Sequence, residues 1–316
     1  MTDARCDVGA GLLHRSDELA AGPVESRRDG VTLVTGAGGF IGRHVVSQLR
    51  SVGVEVVSIE HAWQSRAQVD SLIGTSSVAC CIHLGWYANP DDYLSSQLGN
   101  LRSLRSSIEL LGALMSRGCE HLTVAGTSAE YSPSEFRLTE SDSVEQVTPY
   151  AGAKAALRDL TAELSRSNVL STAWCRIFNV TGPGEHPDRF VPLVTRALLR
   201  GLPIDLTDGN QVRDFLDVRD VAAALVAVSR ARLSCPVNVC SGEGVRLKDM
   251  VSDMASRCGS LKLLHFGTLT RSSGDPDIVV GDNARLVNES GWRPSRSRSQ
   301  MLDDVVQYWR SQLEER

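Results

Sequence analysis

Val31-Thr-Leu-Val-Thr35 reads as a short buried strand and runs without a break into Gly36-Ala-Gly-Gly39-Phe40-Ile41-Gly42, after which a helical pattern continues from Arg43 to Ser51. A strand that turns this tightly into a helix commits the chain to an α/β fold. Glycines at the first, fourth and seventh positions let the backbone reverse, let a pyrophosphate reach the helix N-terminus, and let the helix lie close on the strand. The unit predicts a dinucleotide site at Gly36, Gly39, Phe40, Ile41 and Gly42, with Arg43 immediately beyond. A glycine-rich loop alone also marks plain turns, and it is the flanking strand and helix that give this one meaning.

From Gly30 onward, strand-like and helix-like stretches alternate: strands at 31–35, 54–59, 78–84, 120–126 and 170–177, with helices at 40–51, 66–73, 92–117 and 149–167. This alternation predicts a Rossmann-type, doubly wound parallel sheet with helices on both faces. After residue 178 the texture changes, with Gly182-Pro-Gly184, Pro187, Pro192, Pro203 and Gly209 cutting the chain into short pieces. A smaller C-terminal substrate lobe is expected there, interleaved with the first: residues 30–177 plus a return at about 216–240 for the dinucleotide domain, 178–215 and 241–316 for the lobe. Residues 1–29 carry acids, small residues and Gly22-Pro23 with no clean period, and are expected to form a flexible extension.

Composition excludes several classes. A net charge of −5 and a pI near 5.8 leave no long basic face for nucleic acid. No apolar run reaches membrane-spanning length, and no basic head precedes an apolar stretch near the start. The eight cysteines include no Cys-x-x-Cys, and Cys80, Cys81, Cys175 and Cys240 fall in apolar runs, so neither a metal nor a disulfide framework is expected. A cytoplasmic, reducing setting follows as the expectation.

The chain has three lysines and five tyrosines, and one of each, Tyr150 and Lys154, stand four apart just after Thr148-Pro149. On a helix that spacing puts both on one face. A nearby ammonium favours a phenolate, so the pair is suited to exchanging a proton with an alcohol or carbonyl oxygen while a nicotinamide carries the hydride. Upstream, Gly126-Thr127-Ser128-Ala129-Glu130-Tyr131 ends a strand and supplies a hydroxyl, Ser128, for the same oxygen.

With these residues the chain resembles the extended short-chain dehydrogenase/reductase family, the nucleotide-sugar epimerases, dehydratases and reductases, from about Val31 to Pro294. Further matches are His83-Leu84-Gly85, Asn100 in the long helix, Phe178-Asn179-Val-Thr-Gly-Pro-Gly184, Arg213-Asp-Phe-Leu-Asp-Val218 and Gly291-Trp-Arg-Pro294. The resemblance implies Tyr150, Lys154 and Ser128 as catalytic residues, and Leu84 and Asn100 as cofactor contacts. It further implies Asn179 and Arg213 on the diphosphate of a nucleotide sugar, with Arg271 as a further phosphate contact one residue off register. A guanidinium suits a pyrophosphate, although Arg213 is also placed to pair with Asp214 or Asp217. A homodimer through helices 92–117 and 149–167 is implied by the same resemblance. Trp86 and Tyr87 are candidates for either sugar pocket or core.

Dehydratases of this family place Thr-Asp-Glu where Ser128-Ala129-Glu130 stands, and alanine carries no proton, which disfavours dehydration. Reduction of a 4-keto-6-deoxy sugar nucleotide is the leading expectation, with 4-epimerisation the alternative and a non-catalytic dinucleotide-binding role opposed by the intact Tyr and Lys pair. Glu60, at the end of the second strand, suits the ribose hydroxyls of NAD(H). Arg43 and Arg66 are placed to meet the 2′-phosphate of NADP(H), which stays open.

Overall fold

The computed structural model describes residues 30–60, 63–259 and 261–314, so the expected extension at 1–29 lies outside the described residues. The elements of the first half are β1 (Val31–Thr35), α1 (Gly42–Ser51), β2 (Val56–Ile59), α2 (Arg66–Ile73), β3 (Val78–His83), α3 (Gln97–Ser116), β4 (His121–Thr127), α4 (Pro149–Arg166) and β5 (Ser171–Ile177). There follow β6 (Asn179–Thr181), α5 (Phe190–Leu199), β7 (Ile204–Leu206), β8 (Val212–Asp217), α6 (Val218–Ala231), β9 (Pro236–Val239) and β10 (Gly244–Arg246). The chain closes with α7 (Leu247–Cys258), β11 (Leu264–Phe266), β12 (Ile278–Val279), α8 (Ala284–Ser290) and α9 (Arg298–Glu314).

Six strands form an all-parallel sheet in the order β2-β1-β3-β4-β5-β9. Parallel strands need both faces covered. On one face Val45, Leu49, Val221, Leu225 and Leu286 pack from α1, α6 and α8. On the other, Val69, Leu110, Leu114 and Leu157 pack from α2, α3 and α4. The fold is thus the doubly wound, Rossmann-like α/β sheet. Its strand order reverses between β1 and β3, so the crevice where such sheets bind ligands opens beyond Thr35 and His83.

A second sheet is built on β8, which pairs with antiparallel β10 and with parallel β12 and β6, and β7 and β11 form a third, two-stranded one. Around them α5, α7 and α9 bury Val194, Met250, Met254, Leu302 and Trp309 in a separate core. One buried carboxylate ties these segments together: Asp214 accepts hydrogen bonds from Ser241 N–H (2.8 Å), Ser241 Oγ (2.6 Å), Gly242 N–H (3.0 Å) and Gly281 N–H (3.4 Å). Arg219 bridges the N-cap of α6, Asp217 (2.6 Å), to Asp304 of α9 (2.5 Å). Asp220 receives the backbone of Ser295 and Arg296, which docks Gly291-Trp-Arg-Pro294 onto α6.

Helices α1 and α3 begin at 42 and 97, later than the periodicity predicts. Residues 92–96 instead form hydrogen-bonded turns, Ser96 N–H to Asp92 O at 2.7 Å among them, and the Ser96 hydroxyl caps α3. Polar caps compete well with helix at such positions. Among the described residues no helix is long and apolar enough to cross a membrane.

Candidate active site

Beyond the ends of β1, β3, β4 and β6 lies a cavity of about 2060 Å³, room for more than one small-molecule ligand. Its first wall is the glycine turn, where Gly36, Gly39, Phe40, Ile41 and Gly42 all line it. Gly36 has φ of +66°, and a Cβ there would stand 2.9 Å from Gly85 N, while a Cβ on Gly42 would fall onto the Gly36 carbonyl oxygen. Only glycine permits this approach of three backbones, the cradle a pyrophosphate requires, so the residues fit a dinucleotide.

Hydrogen bonds behind the turn hold it rigid. The Thr35 hydroxyl donates to His83 Nδ1 (2.6 Å) and accepts from Leu84 N–H and Gly85 N–H (both 3.2 Å), while His83 Nε2–H donates to Ser107 Oγ (2.8 Å) and Ser107 to Ser103 O (2.9 Å). Burial depresses His83 to about 3, so the ring is neutral and each donor meets an acceptor. His83 is therefore structural, and Leu84 is delivered to the cavity.

Tyr150 and Lys154 both line the cavity from α4, which Thr148 caps and Pro149 starts. Tyr150 meets the ring of Tyr93 edge-on at 5.2 Å, and Thr127 lines the cavity beside it. Burial pushes the phenol well above its ordinary value, more than the Thr127 hydroxyl and the Arg189 charge offset, so it is protonated at neutral pH. Lys154 is buried and donates to Ala125 O at 2.7 Å, and burial lowers it to about 7. Thr127 and Ser128, at the strand end and the start of its 3-10 turn, both line the cavity, so each offers a hydroxyl near the phenol.

Glu130 does not reach the cavity. Fully buried, it accepts from Trp174 Nε1 (2.9 Å), Arg158 Nη1 (3.0 Å) and Thr127 N–H (3.2 Å), with Arg176 Nε at 3.5 Å. Its role is to pin the turn that carries Thr127.

Three expected cofactor contacts divide. Glu60 lines the cavity, its carboxylate 3.5 Å from a Cβ built on Gly38. Arg43 does not: it donates to Pro183 O (2.8 Å) and stacks on Phe40, bridging the glycine turn to the 182–184 loop. Asn100 is also withdrawn, because its amide is consumed by Tyr93 O (2.7 Å), Ser96 O (2.8 Å) and Trp86 Nε1 (2.9 Å). Arg66, the other residue placed to meet a 2′-phosphate, is held by Asp70 (2.8 Å) and Ser116 and is not among the lining residues.

At the far end, Asn179 and Arg213 line the cavity. Arg213 pairs with Asp275 (2.5 Å), not with Asp214 or Asp217, whose carboxylates serve Ser241, Gly242 and Arg219. Arg271 is no part of the lining: it grips Asp277 (2.7 Å) and Asp275 O (3.0 Å) and so shapes the loop 272–276, which is. Sequence reasoning missed Arg189 and Glu185, both lining residues. Arg189 lies 4.5 Å over the Tyr93 ring. Glu185 accepts from Thr181 Oγ1 (2.6 Å), and burial raises it to about 7. Neither carries a local signal beyond its place after Gly182-Pro-Gly184.

The sequence model of the NAD dependent epimerase/dehydratase family matches residues 32–240. The UDP-glucose 4-epimerase of Azospirillum brasilense is 25% identical, with 95% of each chain covered. The GDP-6-deoxy-D-mannose reductase of Pseudomonas aeruginosa is 24% identical over 89% of this chain and 98% of its own. Among solved structures, MoeE5 in complex with UDP-glucuronic acid and NAD superimposes with a TM-score of 0.78 at 27% identity, covering 90% of this chain and 100% of that one.

Proposed function

The chain belongs to the NAD dependent epimerase/dehydratase family, and from that premise we propose that it is an NAD(P)-dependent oxidoreductase of nucleotide-diphosphate sugars that reduces a 4-keto-6-deoxy sugar. The observation that carries the reading is that Tyr150 and Lys154 line the same cavity as the glycine turn, with the hydroxyls of Thr127 and Ser128 beside them. A reduced nicotinamide dinucleotide, which the glycine turn and Glu60 would hold, would supply hydride chemistry at the carbonyl carbon. Tyr150 gives its proton to the carbonyl oxygen, a hydroxyl forms, and the phenolate left behind is stabilised by the Lys154 ammonium and the Thr127 hydroxyl before solvent reprotonates it. Glu130, bound to two arginines, offers no second proton carrier from this turn, which argues against dehydration.

The relatives support a nucleotide sugar as substrate, one being named for UDP-glucose and another for GDP-6-deoxy-D-mannose. Arg213, Asn179 and Arg189 are our candidates for its diphosphate and sugar. Glu60 favours NAD(H), whereas Arg102 and Arg105, lining the same end from α3, keep NADP(H) open. Leu98, Leu101, Ile108 and Met115 form one exposed stripe on α3, next to α4, and suit a homodimer. Light scattering at micromolar concentration checks it, and a monomer refutes it.

The epimerase relative keeps 4-epimerisation as a second reading. Both are tested by incubation with dTDP-4-keto-6-deoxyglucose and, separately, UDP-glucose, following 340 nm absorbance and products. Stoichiometric loss of reduced cofactor with the keto sugar, abolished in Tyr150→Phe, supports reduction. Conversion of UDP-glucose to its 4-epimer without net cofactor consumption makes the chain an epimerase.

A further inference from the structure

We propose that Trp86 is the positioning residue for Lys154, and that Asn100 acts at the site only by holding Trp86. The Lys154 ammonium lies 3.9 Å from the centroid of the Trp86 ring, well within the range of a cation–π contact. Among the described residues its Nζ makes one hydrogen bond, to Ala125 O at 2.7 Å. A buried ammonium with a single carbonyl partner needs a further electron-rich surface, and the indole face provides it. The indole cannot turn away, because its Nε1–H is bonded to Asn100 Oδ1 at 2.9 Å. Asn100 cannot turn either: both of its amide hydrogens are held, by Tyr93 O and Ser96 O. Flipping the amide would set its oxygen against two carbonyls and its NH₂ against the indole donor.

The same clamp aligns the acid. Trp86 meets the Tyr150 ring edge-on at 6.4 Å and an interplanar angle of 82°, and Tyr93, whose carbonyl Asn100 holds, meets it from another side. The titratable groups that face Lys154 are His83 at the end of β3, Glu130 after β4 and Tyr150 on its own helix. His83 is neutral, and Glu130, whose charge favours the ammonium, is shared with two arginines, so the indole face acts beside it in resisting loss of the ammonium proton. The inference rests on the catalytic reading of Lys154, but its test does not.

Three lysines make that test direct. Protein labelled with ¹³C at lysine gives three Cε signals, assigned by Lys248→Arg and Lys262→Arg, and their pH titration is followed without substrate or cofactor. Burial lowers Lys154 to about 7, and the wild-type midpoint is expected there. Trp86→Leu removes the π face and lowers that midpoint by about one pH unit. Trp86→Phe keeps a smaller π face without the anchor, and its midpoint falls by about half as much. Should Trp86→Leu fail to fold, Trp86→Phe and Asn100→Ala, which frees the indole, each carry the test by the same downward shift. A Lys154 midpoint within about 0.2 pH units of wild type in the folded variants overturns the proposal. Absence of turnover on every nucleotide sugar would instead overturn the catalytic reading and leave this result standing.

Discussion

Glu130→Gln separates two roles that a carboxylate beside a catalytic turn can play. Glutamine keeps an oxygen for Thr127 N–H and for the Trp174 indole but removes the negative charge between Arg158, at 3.0 Å, and Arg176, at 3.5 Å. Breaking a buried ion pair from one side costs about 3–5 kcal/mol, because the charge left behind stays desolvated. The lower end applies here, since Arg158 retains Asp159 at 2.9 Å and Arg176 retains the Tyr131 hydroxyl and Glu140 O. At about 2–4 °C per kcal/mol for a chain of this size, a cost of about 3 kcal/mol lowers Tm by roughly 6–12 °C. Calorimetry gives the shift, and turnover at 20 °C, well below the transition, gives kcat. We expect kcat within about threefold of wild type, far short of the 10²–10⁴-fold typical of a lost acid or base. A Tm within about 1 °C of wild type together with a kcat reduced a thousandfold would refute the reasoning and make Glu130 a chemical participant.

Thr127→Val should lower kcat about a hundredfold while Ser128→Ala changes it less than fivefold, measured by steady-state kinetics; the reverse order would return the hydroxyl role to Ser128. Glu60→Ala should raise kcat/KM with NADPH relative to NADH by about tenfold, the loss of one carboxylate repulsion, and an unchanged ratio would remove Glu60 from cofactor choice. Glu185 has a folded value near 7, above its ordinary one, so the folded state holds its proton longer than the unfolded chain. The stabilisation this brings is full below about pH 4.5 and is lost as pH rises through 7, which leaves wild type weaker at pH 8 than at pH 5 by up to about 3 kcal/mol relative to Glu185→Gln. Denaturant midpoints of the two proteins at both pH values check this, and a pH-independent difference would sink it.

The dinucleotide half of the site was legible because its signals are local. β1, the glycine turn and α1 are contiguous, and the buried run followed by glycines at fixed spacing admits few other conformations. What the sequence does not give is the direction each side chain takes. Arg43 follows the turn directly, yet its side chain leaves toward Pro183, 140 residues away. Asn100 stands where a polar residue suggests a ligand, but in a buried helix face an amide is as readily consumed by carbonyls of its own turn. Which of Thr127 and Ser128 faces the phenol turns on one residue at the place where a period-2 strand becomes a 3-10 turn, which periodicity does not resolve. The second lobe was illegible in detail because its strands are two to six residues long and pair across distance, β6 with β8 and β8 with β12, with no alternation long enough to read.

The Asp214 carboxylate has a consequence for the order in which the molecule is assembled. Its partners lie 27, 28 and 67 residues downstream, and the Arg219 bond to Asp304 spans 85 more. Loop closure of that length is slow and comes after the local βα contacts of the first sheet. During synthesis the glycine turn can therefore be in place while the far end of the cavity still waits for Gly281 and Asp304 to arrive. A chain lacking Gly281 and Asp304 would hold the glycine turn but not the closing partners of Asp214 and Arg219.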